Sequence, residues 1–434
     1  MAGQTLTGYD AALKDVYGPR IEEQLNDMNV LSDYIEEDDS QDWTGRQKIF
    51  PITTGRNQGV GSTTESGALP TAGLMTYEDV KVPVRYTHGR IRLTIQVIKQ
   101  TQSNKGAFGR VMSREMTGMV RSMGNDRERQ FFGSGTGVLA LVNAEQPLAA
   151  TTTVNVDSPY GITPTTNGAR FLNPNMEIAV IAPSSSSVEA TMTVSTVAAA
   201  GTSITISATQ AVTLSDNARI VRAKITAVPA GTDNNFNNEV MGLLGLIDDG
   251  TYVQTLHNID RTATPIFTSP VISSVGQLSL DVIQRAVDAT DEIGGGNFAS
   301  EGVMFTHHSV RREYLKLLQA DRRYTGSDLK SPDGGTKQAA LKKGGYVTYG
   351  GVEMRTAKHA PYGTIFGIQG KNVTRHILTR GEWADDDGKI LRNVFGYDVW
   401  DAFYRIFDNL STERPNDGFR LDGITATVNV NHVY

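Results

Sequence analysis

The sequence predicts an α+β fold in which strands and a few helices are separated by polar tracts. Three observations carry this. Apolar residues alternate at period 2 from Asp79 to Val97, apolar residues recur at helical spacing from about Ser103 to Phe132, and a Thr/Ser/Val-rich block of short strands follows. With 434 residues and 39% hydrophobic content, the chain is long enough for a substantial core divided among several domains.

The first 45 residues carry 2 basic and 11 acidic side chains, and residues 46–132 carry 14 basic and 6 acidic ones, so net charges of -9 and +8 stand side by side. Over the whole chain 41 Lys and Arg meet 47 Asp and Glu, a formal charge of -6, which argues against a dedicated high-affinity nucleic-acid binder. The segregation reads either as two solvated faces or as an acidic arm that meets a basic segment, in the same subunit or another. No cysteine is present, so there is neither a disulfide framework nor a thiolate zinc site. The N-terminus lacks a basic start followed by an apolar run, and no stretch approaches the ~18 apolar residues of a spanning helix, so a soluble, unexported protein without a membrane partner is expected.

Ile49 to Ile52 forms a short apolar strand. The alternation beyond it falls on Val80, Val82, Val84 and Tyr86, then on Ile91, Leu93, Ile95 and Val97 after a break at His88-Gly89. Between the two runs lies "TTGRNQGVGSTTESGALPTAGLM", which has too little apolar surface to offset an ordering cost of about 1–2 kcal/mol per residue. Such a tract is a linker or an extension completed by another molecule.

Ser103 is the expected N-cap of the following helix. Phe108, Val111, Met112, Met116, Met119, Val120 and Met123 fall on one side of it, and Arg110, Arg114 and Arg121 cluster opposite. A Met-rich stripe of this kind is usually adaptable core. After "FFGSGTG", five short strand-like segments between Gly, Asn, Asp and Pro predict a small antiparallel β-domain over about Ala150–Ile225. Helices are expected over Ser279–Ile293 and Ser309–Ala320, with the strand "EGVMFT" between them. A second polar tract, "TGSDLKSPDGGTKQAALKKGG", precedes the hairpin "YVTYGGVEMRT" and strand-rich sequence to Tyr434.

Enzymatic motifs fail on spacing or context. Gly135-x-Gly137-x-x-Ala140 follows a helix, whereas a dinucleotide site needs it between strand and helix. Gly388-Lys389 lacks the rest of a P-loop, and Asp385-Asp386-Asp387-Gly388 has its glycine too early for a calcium loop. His307 and His308 are adjacent and would diverge, and Ser134 lacks its flanking glycines. No catalytic, cofactor-binding or metal-ligating residue is nominated, and no enzyme activity or cofactor is expected.

In this order the pieces resemble the major capsid proteins of tailed bacteriophages, with the Hong Kong 97-type fold. "FFGSGTGVLALVN" is similar to the family's exit from its spine helix, "DVIQRAVDATDEIGGGNFASEGVMFTHHSVRREYLKLL" to its axial helix, strand and second helix, and "EWADDDGKILRNVFGYDVWDAFYRIFDNL" to its C-terminal strands. The resemblance implies an N-terminal arm over 1–45, an extended β-hairpin loop over 46–100, and a peripheral domain with the spine helix over 101–149. An inserted β-rich domain over 150–225 departs from the minimal plan, and an axial domain over 226–434 sends strands back to the peripheral domain. It further implies self-assembly into hexamers and pentamers that close an icosahedral head, built in the bacterial host cytoplasm around double-stranded DNA held without sequence preference. A separate scaffolding protein, a portal and a decoration or cement protein are the implied partners. Because the family's extended loop lies across a neighbour, contacts between subunits are expected at Arg56, Arg90, Arg92, Arg110, Arg114 and Arg121, facing Glu36, Glu37, Asp38 and Asp39. A cellular nanocompartment shell of the same fold is the nearest rival, and a carbohydrate-binding or tail-associated protein built on the β-domain is a further one.

Overall fold

The computed structural model describes residues 30–38, 45–96, 105–162, 166–224, 234–295, 298–320, 347–385, 389–394 and 396–428. Three bodies of structure follow from three sequence patterns: a mixed sheet backed by a long helix, a closed β-barrel, and a second mixed sheet flanked by two helices.

The first sheet joins distant parts of the chain. Strand β1 (Glu36–Asp38) runs parallel to β5 (Val373–Trp383), β5 is antiparallel to β6 (Val399–Thr412), and β6 is antiparallel to β4 (Arg85–Thr94). Between β1 and β4 in sequence, β2 (Gln47–Gly55) and β3 (Thr76–Pro83) form a two-stranded hairpin whose register runs from Gln47 opposite Pro83 to Gly55 opposite Thr76. Val80 and Val82 are fully buried at its root, Ile52 packs against the core, and Glu78 accepts from Thr264 Oγ1 at 3.3 Å, so the hairpin leaves the body beyond the Ile52–Glu78 pair.

The break in the alternation is at Val84, not at His88-Gly89. Pro83 has no N–H to continue a ladder, and Asn409 Nδ2 donates to its carbonyl at 2.8 Å where β3 ends. Gly89 lies inside β4 instead. A Cβ there would stand 2.8 Å from Met119 Sδ and 3.2 Å from Met123 Sδ, so glycine lets the helix close on the sheet.

That helix, α1 (Lys105–Phe132), spans 28 residues. Its expected N-cap Ser103 and the side chains of Phe108, Val111 and Met112 lie outside what is described. Met123 is buried and Met116 and Met119 are half-buried, but Val120 is 37% exposed, a departure from the expected apolar side. Residues 114–120 are exposed or half-buried, whereas from Met123 to Phe132 nearly every side chain is covered.

Gly135 and Gly137 follow, both with φ near +77°, which turns the chain off the helix into the barrel. The barrel closes in the order Ser203–Ile206, Thr153–Asp157, Val138–Val142, Arg219–Arg222, Glu177–Ile181, Val188–Val197, with every pairing antiparallel. One stave, Val138–Val142, precedes Ala150 in the chain. Val154, Val156, Ile178, Val180, Val194, Ile204 and Ile220 fill the interior by strict alternation or as continuous apolar runs.

In the second sheet the strand order is Val271–Ile272, Phe419–Leu421, Ile365–Gln369, Gly302–Thr306, Val352–Thr356, Val347–Tyr349. Helix α2 (Leu280–Gly294) is capped by Ser279, whose side chain accepts from Val282 N at 3.3 Å, and ends at Gly295 with φ +70°. Its buried residues Ile283, Ala286, Val287 and Thr290 have the i, i+3, i+4, i+7 spacing of one face. Helix α3 (His308–Ala320) follows Gly302–Thr306 as expected, and Gly350-Gly351 supply the positive φ values of the hairpin turn. The second polar tract, residues 325–345, and the glycine of Asp385-Asp386-Asp387-Gly388 lie outside the described residues. Among the described residues no helix is long and apolar enough to cross a membrane, and no group of three His, Asp or Glu is placed to hold a metal ion.

Candidate intersubunit surface

The hairpin carries apolar side chains that this chain leaves uncovered. Val60, Leu69 and Leu74 are 81%, 86% and 85% exposed, and Met75, Tyr77 and Ile49 are exposed with them. From Arg56 to Met75 the backbone belongs to no strand or helix, and its described polar contacts are local, such as Gly59 N to Asn57 Oδ1 at 2.8 Å. Single apolar residues on a surface are ordinary, but six exposed on one hairpin are a concentration that water disfavours.

At its root the hairpin is fixed to the body. Lys81 N donates to His257 O at 2.9 Å, and the buried His257 ring lies 3.1 Å from Leu410 O. Burial pushes the His257 pKa down to about 3, against the opposing effect of that carbonyl, so the ring is neutral. On the opposite strand Lys48 pairs with Asp38, and Lys48 Nζ also lies 3.3 Å from His376 Nδ1. His376 in turn contacts Asp38 at 3.2 Å and Ser411 Oγ at 2.7 Å. Burial and the Lys48 charge hold the His376 pKa below its ordinary value although Asp38 opposes them.

Each residue expected at the contact now has a place. Glu36, Glu37 and Asp38 form β1, where Glu37 pairs with Arg375 at 2.9 Å and with Arg380 at 2.8 Å, and Asp38 pairs with Lys48 and His376. These partners lie within the same chain, and among them only Lys48 belongs to the basic segment 46–132. Arg90 and Arg92 reach across to the buried carboxylate of Asp401, Arg92 Nε at 2.8 Å. Arg56 is exposed on the hairpin, Arg114 is exposed and Arg121 half-buried on α1. Asp39 and the side chain of Arg110 lie outside the described residues.

Sequence reasoning missed the charges that hold this surface in position. Asp408 is completely buried on β6 between Arg127 of α1 and Arg375 of β5, the latter at 2.6 Å. Both guanidiniums lie over the Phe131 ring, at 5.4 and 5.7 Å from its centroid. Burial pushes the Arg127 pKa down to about 9, and the nearby Arg375 adds to this. Two residues on, Arg129 donates to Glu239 at 2.6 Å and to Asp126 at 3.1 Å. Burial raises the Asp126 pKa, but Arg222 and Arg129 outweigh it and hold the carboxyl well below the usual range. The arm is anchored to the same helix, where Glu128 accepts from Leu31 N at 2.7 Å and Ser32 N at 2.9 Å. A signal existed: Met116, Met119 and Met123 continue by helical spacing onto Arg127 and Gln130, which places them on the buried side.

Ser411, His376 and Asp38 stand in hydrogen-bond order, but Ser411 and His376 are buried and out of reach of a substrate at the surface. The surface can bind, through exposed apolar groups on a hairpin whose root is rigid.

Comparison with known proteins bears on the fold. The cyanophage A-1(L) capsid asymmetric unit matches at a TM-score of 0.60, covering 97% of this chain and 100% of that one, at 9% identity. The capsid of a native GTA particle matches at 0.51 over 98% of this chain and 100% of that one, at 8% identity. The capsid of an empty GTA particle matches at 0.50 over 97% and 98%, at 7% identity. No protein-family model and no curated protein matches the sequence. The chain has the fold of phage capsid subunits over nearly its full length.

Proposed function

We propose that this chain is the major capsid protein of a tailed bacteriophage, with the Hong Kong 97-type plan of arm, extended loop, spine helix and axial domain, and the barrel as an insertion. In this reading copies assemble into hexamers and pentamers and close an icosahedral head around double-stranded DNA in the host cytoplasm, with a scaffolding protein, a portal and a decoration protein as partners. The observation that carries it is the full-length match in fold to the cyanophage capsid chain at a TM-score of 0.60. The hairpin supports it, because an exposed apolar tip on a fixed root is a surface in need of a neighbour. Electron microscopy of the purified full-length protein, alone and after co-expression with its neighbouring genes, tests the reading. Closed particles are expected, and a chain that remains monomeric in both preparations sinks it.

Charge has a lesser part in this scheme. Exposed ion pairs contribute about 0–1 kcal/mol each and are screened by salt, so Arg110, Arg114 and Arg121 would set orientation while apolar burial supplies affinity. Reversing all three to Glu should slow assembly by up to roughly a hundredfold at low salt, with the difference shrinking toward 0.5 M NaCl. Light scattering against salt concentration measures it, and identical curves for variant and wild type would remove these residues from the contact.

A further inference from the structure

The barrel meets the second sheet along a seam with an unusual charge balance. Two short 3-10 turns of the barrel, Pro159–Gly161 and Gly168–Phe171, face the single loop 357–363. Arg170 is completely buried there. It donates to the carbonyls of Ala360, at 3.0 Å, and Lys358, and its guanidinium is 4.2 Å from the Tyr362 ring centroid and 4.9 Å from that of Phe171. Among the described residues it forms no ion pair, so one buried positive charge is balanced only by dipoles and rings. Tyr160 Oη donates to His359 O at 2.7 Å, with Arg129 O at 3.1 Å, and Asn167 Nδ2 donates to Tyr362 Oη at 2.9 Å.

Histidines surround this cation. His359 is buried, its ring 6.1 Å from Phe171, and neither ring nitrogen has a partner among the described residues. His307 packs 4.7 Å from Tyr362 and 5.7 Å from His308, with Nδ1 2.9 Å from Ser309 Oγ. The charges facing them are almost all positive: Arg170, Lys358 and Arg129 around His359, with Asp126 opposing, and Arg170, Arg311 and Arg312 around His307 and His308. Burial first and these cations second hold His359 well below its ordinary pKa and bring His307 to about 2. The turns are also strained, since Ser158, Tyr160 and Asn167 hold φ of +45°, +64° and +55° without being glycine. A cleft of about 640 Å³ between α1 and the barrel edge, lined by Asp126, Asn173 and Arg222, reaches His359 and gives protons a path.

We propose that this seam is an acid-sensitive latch, in which protonation of His359 and His307 beside the buried, unpaired Arg170 releases the two barrel turns from loop 357–363. The sign follows from proton linkage. In the closed seam both rings stay neutral, whereas in an open one they titrate near 6.5, so the open state binds more protons and gains population as pH falls below 6.5. The closed state keeps its full advantage above that pH. Two such groups raise the opening constant about a thousandfold between pH 7.5 and pH 5.0, and one raises it about thirtyfold. The latch belongs to the single chain and does not depend on shell formation.

Hydrogen exchange with mass spectrometry on the full-length protein at pH 7.5 and 5.0, corrected for the intrinsic pH dependence of exchange, tests it. Peptides covering 158–172 and 357–363 should open about a thousandfold more at pH 5.0, while barrel residues 188–197 and sheet residues 302–306 stay protected. His359→Gln should reduce the response to roughly thirtyfold with unchanged protection at pH 7.5, and His307→Gln should do the same if the first variant fails to fold. Seam opening that changes by less than threefold between the two pH values overturns the proposal. So does exchange that rises equally in barrel, seam and sheet, or a full response in both variants.

Discussion

Replacing residues 57–74 with an Asn-Gly turn leaves a folded subunit that no longer closes into particles. The register places Gly55 opposite Thr76, so Arg56 and Met75 become the flanking pair of a two-residue hairpin turn that suits the twist of β2 and β3. Val60, Leu69 and Leu74 are 81–86% exposed, and their removal takes no buried contact from the subunit. Its unfolding free energy should therefore stay within about 0.5 kcal/mol of wild type. The loss appears in assembly. Burying those three side chains against a neighbour is worth about 5–9 kcal/mol, which is roughly 10³- to 10⁶-fold in the association constant of each contact. Sedimentation and electron microscopy of variant and wild type at equal concentration measure the effect. Normal shells from the shortened hairpin would show that the tip is a surface ornament and that closure is driven from elsewhere.

How far the sequence foretold this surface depends on the range of the interactions concerned. The hairpin was legible because its causes are local: alternation in β3, apolar residues in β2, and a tract between them without packing residues. Helix α2 was legible for the same reason, with Ser279 at one end and a glycine run at the other. The barrel was legible as a set of short strands but not as a closed object. Closure pairs Val138–Val142 with Arg219–Arg222, some eighty residues on, and no local pattern encodes that. The break after Pro83 was missed because Gly89 looked like a punctuation mark. It is a contact site, set by two methionines of a helix thirty residues away.

Charges were harder to read than apolar residues. The run Asn125-Asp126-Arg127-Glu128-Arg129-Gln130 is charged and polar throughout, yet it is buried except for the half-buried Asp126, because all but Gln130 meet a partner far off in sequence. Glu37, Asp38, Arg90 and Arg92, expected at contacts between subunits, have partners in their own chain for the same reason. A net charge counted along a segment cannot distinguish a pair closed by folding from one left for a neighbour. The hairpin tip, where folding supplies nothing, is where the expectation of an outside partner rests on the firmest ground.

Asp408→Ala should be strongly damaging, lowering stability by about 3–5 kcal/mol. The carboxylate is fully buried and bridges Arg127 and Arg375, so its removal leaves two guanidiniums facing each other over Phe131 with no anion between them. Arg375 retains Glu37 at 2.9 Å, but Arg127 has only Thr87 Oγ1 at 2.8 Å among its described hydrogen bonds. The variant should therefore regain most of the loss when Arg127 is also changed, as in Asp408→Leu with Arg127→Met, since an apolar pair of similar size removes both the charge and its desolvation cost. Urea unfolding of the free subunit, with Asp408→Leu, Arg127→Met and the double variant, gives the coupling directly. Strict additivity would mean that the bridge does not carry the cost. Because the same bridge joins α1, β5 and β6, with β1 attached through Glu37, a subunit without it should also lose the fixed geometry at the hairpin root, and the particles it forms should be fewer and irregular. Apolar burial at the tip supplies affinity, but only a rigid root lets each copy present it at the angle that closure requires.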